Sequence, residues 1–452
     1  MSPERYSSQD ADPTLLGEKL TFNCGRTAQN RFLKAGMSER LGTWDLDVSK
    51  RGIPTDRLIN AYEKWGHGGF GLIVSGNVPV DPHHLQLPGN VVVCKENDSH
   101  ELREQMRRWS AVTKKEGSLA ILQLTHAGAL TPFSVNPTPF GPSDVHIVSK
   151  KPHSKYGRAT ALTVEQIQND VIDRFVYAAK LAQQTGFDGV EIYAAHGFLL
   201  SQFMSPSTNK RNDQYGGTVE NRIRLVLEIY DTIRKELRTD FVIGIKANSV
   251  EFQEEGLQTE DAKMMCELIE KRGFDFVELS GGTVERSAFF HEKDSTRQRE
   301  AFFLEFTDKI RPVFRDTKVF VTGGFRTVTG MVKAVELNST EGIGIARPVA
   351  SEPDLPKKIL SGEVQGAIKH KFDPDDYRVT SVAAVSSLFL MGKRSLCELD
   401  GRIMGDIPDF SRTDEVEHFL KQMKVFMRRI IEMAEQNLPV DAILEYEALH
   451  VY

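Results

Sequence analysis

With 452 residues, 40% hydrophobic and 27% charged, the chain has ample apolar material for a core and no extreme of composition. A formal net charge of -6 gives no electrostatic reason to expect nucleic acid or an anionic membrane as partner, and no stretch approaches the ~20 apolar residues of a membrane span. Cys24, Cys94, Cys266 and Cys397 lie far apart without CxxC spacing, so neither a disulfide framework nor a zinc site is expected; without a signal-like apolar run, the expected location is cytoplasmic.

An N-terminal arm is expected over residues 1–21. Beyond it, short apolar runs alternate with longer helical patterns, the signature of parallel α/β architecture. Strands are predicted in RFLKAGM from Arg31, GLIVS from Gly71, SLAILQL from Ser118 and DGVEIY from Asp188. The other four are FVIGIKA from Phe241, FDFVELS from Phe274, KVFVT from Lys318 and EGIGIA from Glu341. Eight strands, each followed by a helix, predict a closed (β/α)8 TIM barrel over 22–365 rather than an open doubly wound sheet.

GHGGFG, from Gly66 to Gly71, satisfies G-x-G-x-x-G, but the helix-like DRLINAYEKW precedes it and a strand follows. A dinucleotide site needs the reverse order, so these glycines are read as a helix end and a turn. After the third strand, the Pro-, Gly- and Lys-rich stretch from Leu130 to Ala161 is expected to form a lid insertion (about 130–161). Its basic run SKKPHSKYGR, from Ser149 to Arg158, is either a solvated loop or an attractor for a phosphorylated cofactor. Apolar Val164, Ile167, Val171, Phe175, Ala178 and Ala182 predict one helix over 163–184, with Thr163 and Gln166 as a capping box. From 366 to 452 a helical C-terminal extension is expected. Its stripe of Val416, Phe419, Leu420, Met423, Met427, Ile430 and Ala434 would pack on the barrel's outside or on a second copy in a homodimer.

The residues just past each strand carry the chemistry. In chain order they are Ser38, Gly76, Gln123 with His126, Tyr193 with His196, Lys246 with Asn248, Gly281-Gly282, Gly323-Gly324 and Arg347. Barrel enzymes build their sites on this C-terminal rim. TGGFRT, from Thr322, leaves the seventh strand through two glycines into a helical pattern, and GIARP, from Gly344, leaves the eighth with Arg347. Side by side they fit a phosphate-bearing cofactor. Lys246, in an apolar strand, needs a partner; His126 is read as a loop support. A lone histidine beside a strand is ordinarily structural, and His196 is set apart only by its company on the rim.

These blocks resemble the old yellow enzymes, FMN-dependent oxidoreductases on a (β/α)8 barrel, and the lid and tail resemble fungal-type members. The resemblance rests on NRFLKAGM, ILQLTHAG, GFDGVEIYAAHGFLLSQFMSP, TNKRNDQYGGTVENR, FVELSGG, VTGGFRT and GIGIARP, and covers about Phe22 to Gly362. It implies a flavin held by Ala35, Ser38, Gly76, Gln123, Lys246, Gly323, Gly324, Ala346 and Arg347. Within this set Ser38 would reach O4, Gln123 would read the pyrimidine edge, and Lys246 would stand where the family usually has arginine. Asp213, Tyr215 and Arg222 are read as loop-ordering groups.

Two departures alter the implied chemistry. Where the family commonly places His-x-x-His or His-x-x-Asn to bind a substrate carbonyl, this chain has Tyr193 and His196. Where the family usually carries a proton-donating tyrosine, it has Phe198. The resemblance therefore implies hydride passage from NADPH or NADH through FMN to an enone or related α,β-unsaturated carbonyl, with the acid step unassigned. The alternatives are a flavin-dependent double-bond isomerase or another specialised rearrangement, and a catalytically inert flavin-binding scaffold.

Overall fold

The computed structural model describes residues 3–7, 9–149, 154–248, 259–280, 310–440 and 443–452. Gly281-Gly282 and residues 150–153 of the basic run lie outside them. Eight parallel strands close into one barrel. They are β1 (Phe32–Lys34), β2 (Leu72–Pro79), β3 (Leu119–Thr125), β4 (Gly189–Ala194), β5 (Val242–Asn248), β6 (Phe276–Ser280), β7 (Lys318–Thr322) and β8 (Gly342–Ile345). Each pairs with the next in sequence, and β8 returns to β1. All eight lie within the predicted runs or overlap them, because strands buried on both faces must be nearly continuously apolar.

Alternation along each strand then divides two cores. Outward-facing Val190, Ile192, Ile243 and Ile245 join the large cluster beneath the helices. Inward-facing Leu33, Leu72, Ile121, Val242, Phe276 and Phe320 fill the barrel from below. A small hairpin, Leu20–Thr21 against Thr27–Ala28, pushes Leu20, Phe22 and Ala28 into the same cluster. The floor is therefore sealed with hydrocarbon, and polar groups inside the barrel sit toward the C-terminal rim.

GHGGFG follows the helix Asp56–Gly66 and precedes β2, as the rejection of a dinucleotide site requires. The Thr163–Gln166 capping box is present, but the predicted single helix opens into a wide π-type turn over Ile167–Ile172 before resuming at Asp173–Gln184. The wider turn lets adjacent Val171 and Ile172 both face the core. After β4, Asp213 accepts from the Tyr215 N–H at 3.0 Å, while Arg222 donates to the Met204 carbonyl at 2.8 Å and pairs with Asp261. These groups order their loop and lie off the rim chemistry.

Beyond the barrel strands, the helices Tyr377–Met391 and Thr413–Glu435 share a small core with Phe372, Phe410 and Tyr446. From the predicted stripe, Val416, Phe419, Met423 and Ile430 are buried, whereas Leu420, Met427 and Ala434 are half-buried. Among the described residues no helix is long and apolar enough to cross a membrane.

Candidate active site

The inward positions of β3 to β6 change from apolar to polar near the rim, and the barrel register sets who meets whom. Gln123 lies opposite Glu191, Lys246 opposite both Tyr193 and Glu278, and Asn248 opposite Ser280. Gln123 Nε2 donates to Glu191 Oε2 at 2.5 Å, and Lys246 Nζ donates to Glu278 Oε1 at 2.6 Å. The partner that Lys246 needed is thus first of all a protein carboxylate. Sequence reading missed it because Glu278 looks like an isolated charge in a strand until β5 and β6 are in register.

Two buried carboxyls this close cannot both ionise cheaply. Burial first, then Glu278, pushes the Glu191 carboxyl well above its ordinary value. Burial would also raise Glu278, but the Lys246 ammonium outweighs it and holds that carboxyl below its ordinary value. Glu191 Oε1 has no conventional partner among the described residues, and one proton held on Glu191 and shared with Glu278 accounts for it; Glu278 also accepts from the Thr322 hydroxyl. The layer then reads Glu191 neutral, Glu278 negative, Lys246 positive.

Above this layer stands the pair that raised the question of a ligand site. Tyr193 Oη and His196 Nδ1 are 2.7 Å apart, and His196 Nε2 lies 3.1 Å from Ser280 Oγ. The His196 N–H donates to Asn248 Oδ1 at 3.1 Å. The histidine backbone has φ +58°, a left-handed conformation that side-chain-bearing residues adopt at a cost and keep where surroundings impose it. Burial, followed by Lys246, lowers the imidazole to about 3, so it is neutral at physiological pH. Burial, with Glu278 next, raises the Tyr193 phenol well above its ordinary value. The hydroxyl–imidazole–hydroxyl chain can run in either direction: with Ser280 donating to His196 and His196 to Tyr193, the Tyr193 hydroxyl is the neutral donor left above the barrel, and in the reverse direction the Ser280 hydroxyl is.

Phe198 is buried with Ala127, Ala129, Leu130, Ile147 and Ala159, so its ring seats the lid. It meets the Tyr193 ring edge-on at 5.1 Å. No titratable group stands in its place.

His126 supports its loop, as read from the sequence: its Nδ1 accepts from the Gly128 N–H at 3.1 Å. It stacks at 4.4 Å on His84, which accepts from the Phe140 N–H at 3.0 Å, and both rings face Asp81. Asp81, His84 and His126 cluster as metal ligands would. With their other nitrogens accepting backbone bonds, however, the rings turn N–H groups rather than lone pairs toward the carboxylate. Arg174 Nε lies 3.7 Å from it as well. This is a clamp joining the lid to the rim.

The expected cofactor groups are gathered on the same rim, with two differences. Ser38 Oγ approaches Asn77 Oδ1 at 2.7 Å and Gln86 Oε1 at 2.5 Å, so its single proton is spent inside the protein rather than offered to a flavin carbonyl. At Gly76, a Cβ would fall 2.0 Å from Glu39 Oε2; glycine is needed there to admit the Glu39 carboxylate, which accepts the Gly76 N–H at 2.8 Å. Ala35 is buried inside the barrel and Ala346 packs at the edge of the same cluster. Gly323 and Gly324 take φ +139° and +84°, values that open the β7 exit. Arg347 Nη1 donates to Thr380 Oγ1 at 2.8 Å. Burial, then neighbouring Arg326, pushes Arg347 down to about 10. Arg326 was legible in TGGFRT and overlooked; Thr380 was not legible, since it comes from the C-terminal extension.

The donor set fits a flavin phosphate and ring. Near Arg347 a second guanidinium, that of Arg326, adds positive charge, and along the rim the Nδ2 atoms of Asn77 and Asn248 are buried without partners among the described residues.

Half-buried neutral histidines also make the fold acid-sensitive. Unfolded histidine takes its proton near 6.5, whereas His196 resists until about 3 and His370, half-buried beside Arg326, until about 4. The unfolded state therefore binds more protons as pH falls below about 6.5, and each such histidine removes ~1.4 kcal/mol of stability per pH unit down to its folded value. Urea unfolding at pH 7, 6, 5 and 4 should show this fall; a flat series contradicts the neutral assignment.

Comparison with known proteins places the arrangement. Residues 20–365 match the model of the NADH:flavin oxidoreductase / NADH oxidase family. The chain is 41% identical over 396 residues to the NADH-dependent flavin oxidoreductase nadA of Aspergillus parasiticus, covering 86% of this chain and 88% of that protein. It is 32% identical over 360 residues to the NADH-dependent flavin oxidoreductase iliE of Hypocrea jecorina, covering 75% and 88%. In fold it is similar to the old yellow enzyme homologue from Zymomonas mobilis, with TM-score 0.64, 24% identity, and 78% and 94% coverage. These matches set aside the inert scaffold. The chain belongs to the NADH:flavin oxidoreductase / NADH oxidase family and is an FMN-dependent oxidoreductase with the fold of the old yellow enzymes.

Proposed function

We propose that this protein reduces an α,β-unsaturated carbonyl compound at the expense of NADH, with Tyr193 and His196 binding the carbonyl oxygen. The observation that carries the reading is the 2.7 Å Tyr193–His196 pair, held neutral above the Lys246 layer. NADH is favoured over NADPH because the similar fungal proteins are named for it. FMN held at this rim would supply the hydride-carrying chemistry between nicotinamide and substrate. Gly323, Gly324, Ala346 and Arg347 hold its phosphate; Gln123 and Lys246 serve the pyrimidine side, and Ala35, Ser38 and Gly76 border the ring.

The residues around the substrate bind and polarise more than they acidify. The Tyr193 phenol, with His196 donating to it and Ser280 donating to His196, donates a hydrogen bond to the oxygen, which gains negative charge as hydride arrives at the far carbon. Protonation of the second carbon falls to solvent, since Phe198 has no proton to give and Tyr193 holds its own tightly. That same feature favours a second reading, in which hydride gained at one carbon is balanced by hydride given back from another, so that the substrate leaves at its starting oxidation level with its double bond moved.

The test is direct. The purified protein should be yellow, should bleach promptly on anaerobic mixing with NADH, and should recolour on addition of a simple enone such as cyclohexenone. Protein that is colourless and takes up no added FMN sinks the proposal. Bleaching by NADH with recolouring by no unsaturated carbonyl sinks the substrate class alone.

A further inference from the structure

We propose that Glu278 is a positioning residue that lowers the flavin's reduction potential, by holding Lys246 in a neutral ion pair beneath the rim; this rests on the rim being the flavin site. The geometry is built into the barrel. Lys246 and Glu278 are direct neighbours across β5 and β6, their side chains are 5% and 0% exposed, and Nζ to Oε1 is 2.6 Å. The pair is enclosed on its other sides by Gln123, Glu191 and Tyr193, the last with its ring centre 5.9 Å from Nζ. Glu191 keeps its proton, so among the described residues the pair carries the charges of the layer, and the next charge acting on it, buried Lys34, is itself paired with Glu39 at 3.5 Å.

A lone buried ammonium would strongly stabilise the negative charge that the flavin gains on reduction, because the Coulomb term is large where water is excluded. With a carboxylate in hydrogen-bond contact, most of that field is cancelled at the distance of a ring lying above. The paired carboxylate also restricts where the flexible lysine can swing. The sequence departs from the family in using lysine here; the structure shows that lysine's charge is offset by a partner on the next strand.

The test compares reduction potentials of the FMN-loaded wild type, Glu278→Gln and the double variant Lys246→Gln/Glu278→Gln, by equilibrium titration against a reference dye. Glu278→Gln should shift the oxidised–reduced equilibrium at least tenfold toward the reduced form, about 30 mV for a two-electron couple. The double variant, an uncharged pair of similar shape, should stay within threefold of wild type. If Glu278→Gln stays within threefold of wild type, or the double variant shifts tenfold or more toward the oxidised form, the proposal is overturned, while retained yellow colour leaves the flavin reading intact. Should the single variant fail to fold, the comparison of wild type with the double variant decides alone. A wild type that takes up no FMN overturns the flavin reading itself, and this proposal with it.

Discussion

His196→Ala is expected to lower kcat/KM for an unsaturated carbonyl by about 10²–10³-fold, the usual cost of removing one donor aimed at a developing oxyanion. The imidazole is the middle of the chain from Tyr193 through His196 to Ser280, so its loss also leaves the Tyr193 phenol without its orienting partner. His196→Asn should retain most of the activity. Asparagine supplies a donor and tolerates the left-handed backbone at φ +58°, where alanine adds a penalty of about 1–2 kcal/mol. Steady-state kinetics at saturating NADH, with thermal melts run in parallel, separate the two effects. Equal kcat/KM for wild type and the alanine variant would remove His196 from the substrate site.

Phe198→Tyr is expected to accelerate protonation of the substrate carbon by about 10²-fold and to raise the saturated fraction of the product. A positioned general acid contributes about 10²–10⁴-fold. The existing ring is already held edge-on to Tyr193, so a hydroxyl at its tip is added to a side chain whose place is fixed. Because Ala127, Leu130, Ile147 and Ala159 surround that ring, the hydroxyl costs about 1–3 kcal/mol if it finds no partner. Single-turnover recolouring of the NADH-reduced protein gives the rate, and product analysis gives the partition. A wild type that already yields only the saturated product, as fast as the variant, excludes the isomerase reading and leaves Phe198 as a seat for the lid.

Much of the rim was legible from local pattern. The run DGVEIYAAHGF places Tyr193 at an inward position near the end of a strand and His196 just past it, and TGGFRT and GIARP put glycines and arginines past two others. What local pattern misassigned were partners. Ser38 meets Asn77 and Gln86 from the β2 side, and Gly76 is small for the sake of Glu39. The Asp81–His84–His126 clamp was invisible, since a helix and a strand separate His126 from Asp81 and His84.

The sequence alone determined the eight strands and the polar character of their ends, because a strand buried on both faces must be apolar along its length and any exception stands out. Glu191, Lys246 and Glu278 are three such exceptions, each at an inward position of its own strand. Only closure of the barrel decided that Lys246 faces Glu278 and that Gln123 faces Glu191. Register between neighbouring strands follows from packing of the whole cylinder, and charge pairing in a medium without water depends on contact distances that no single strand contains.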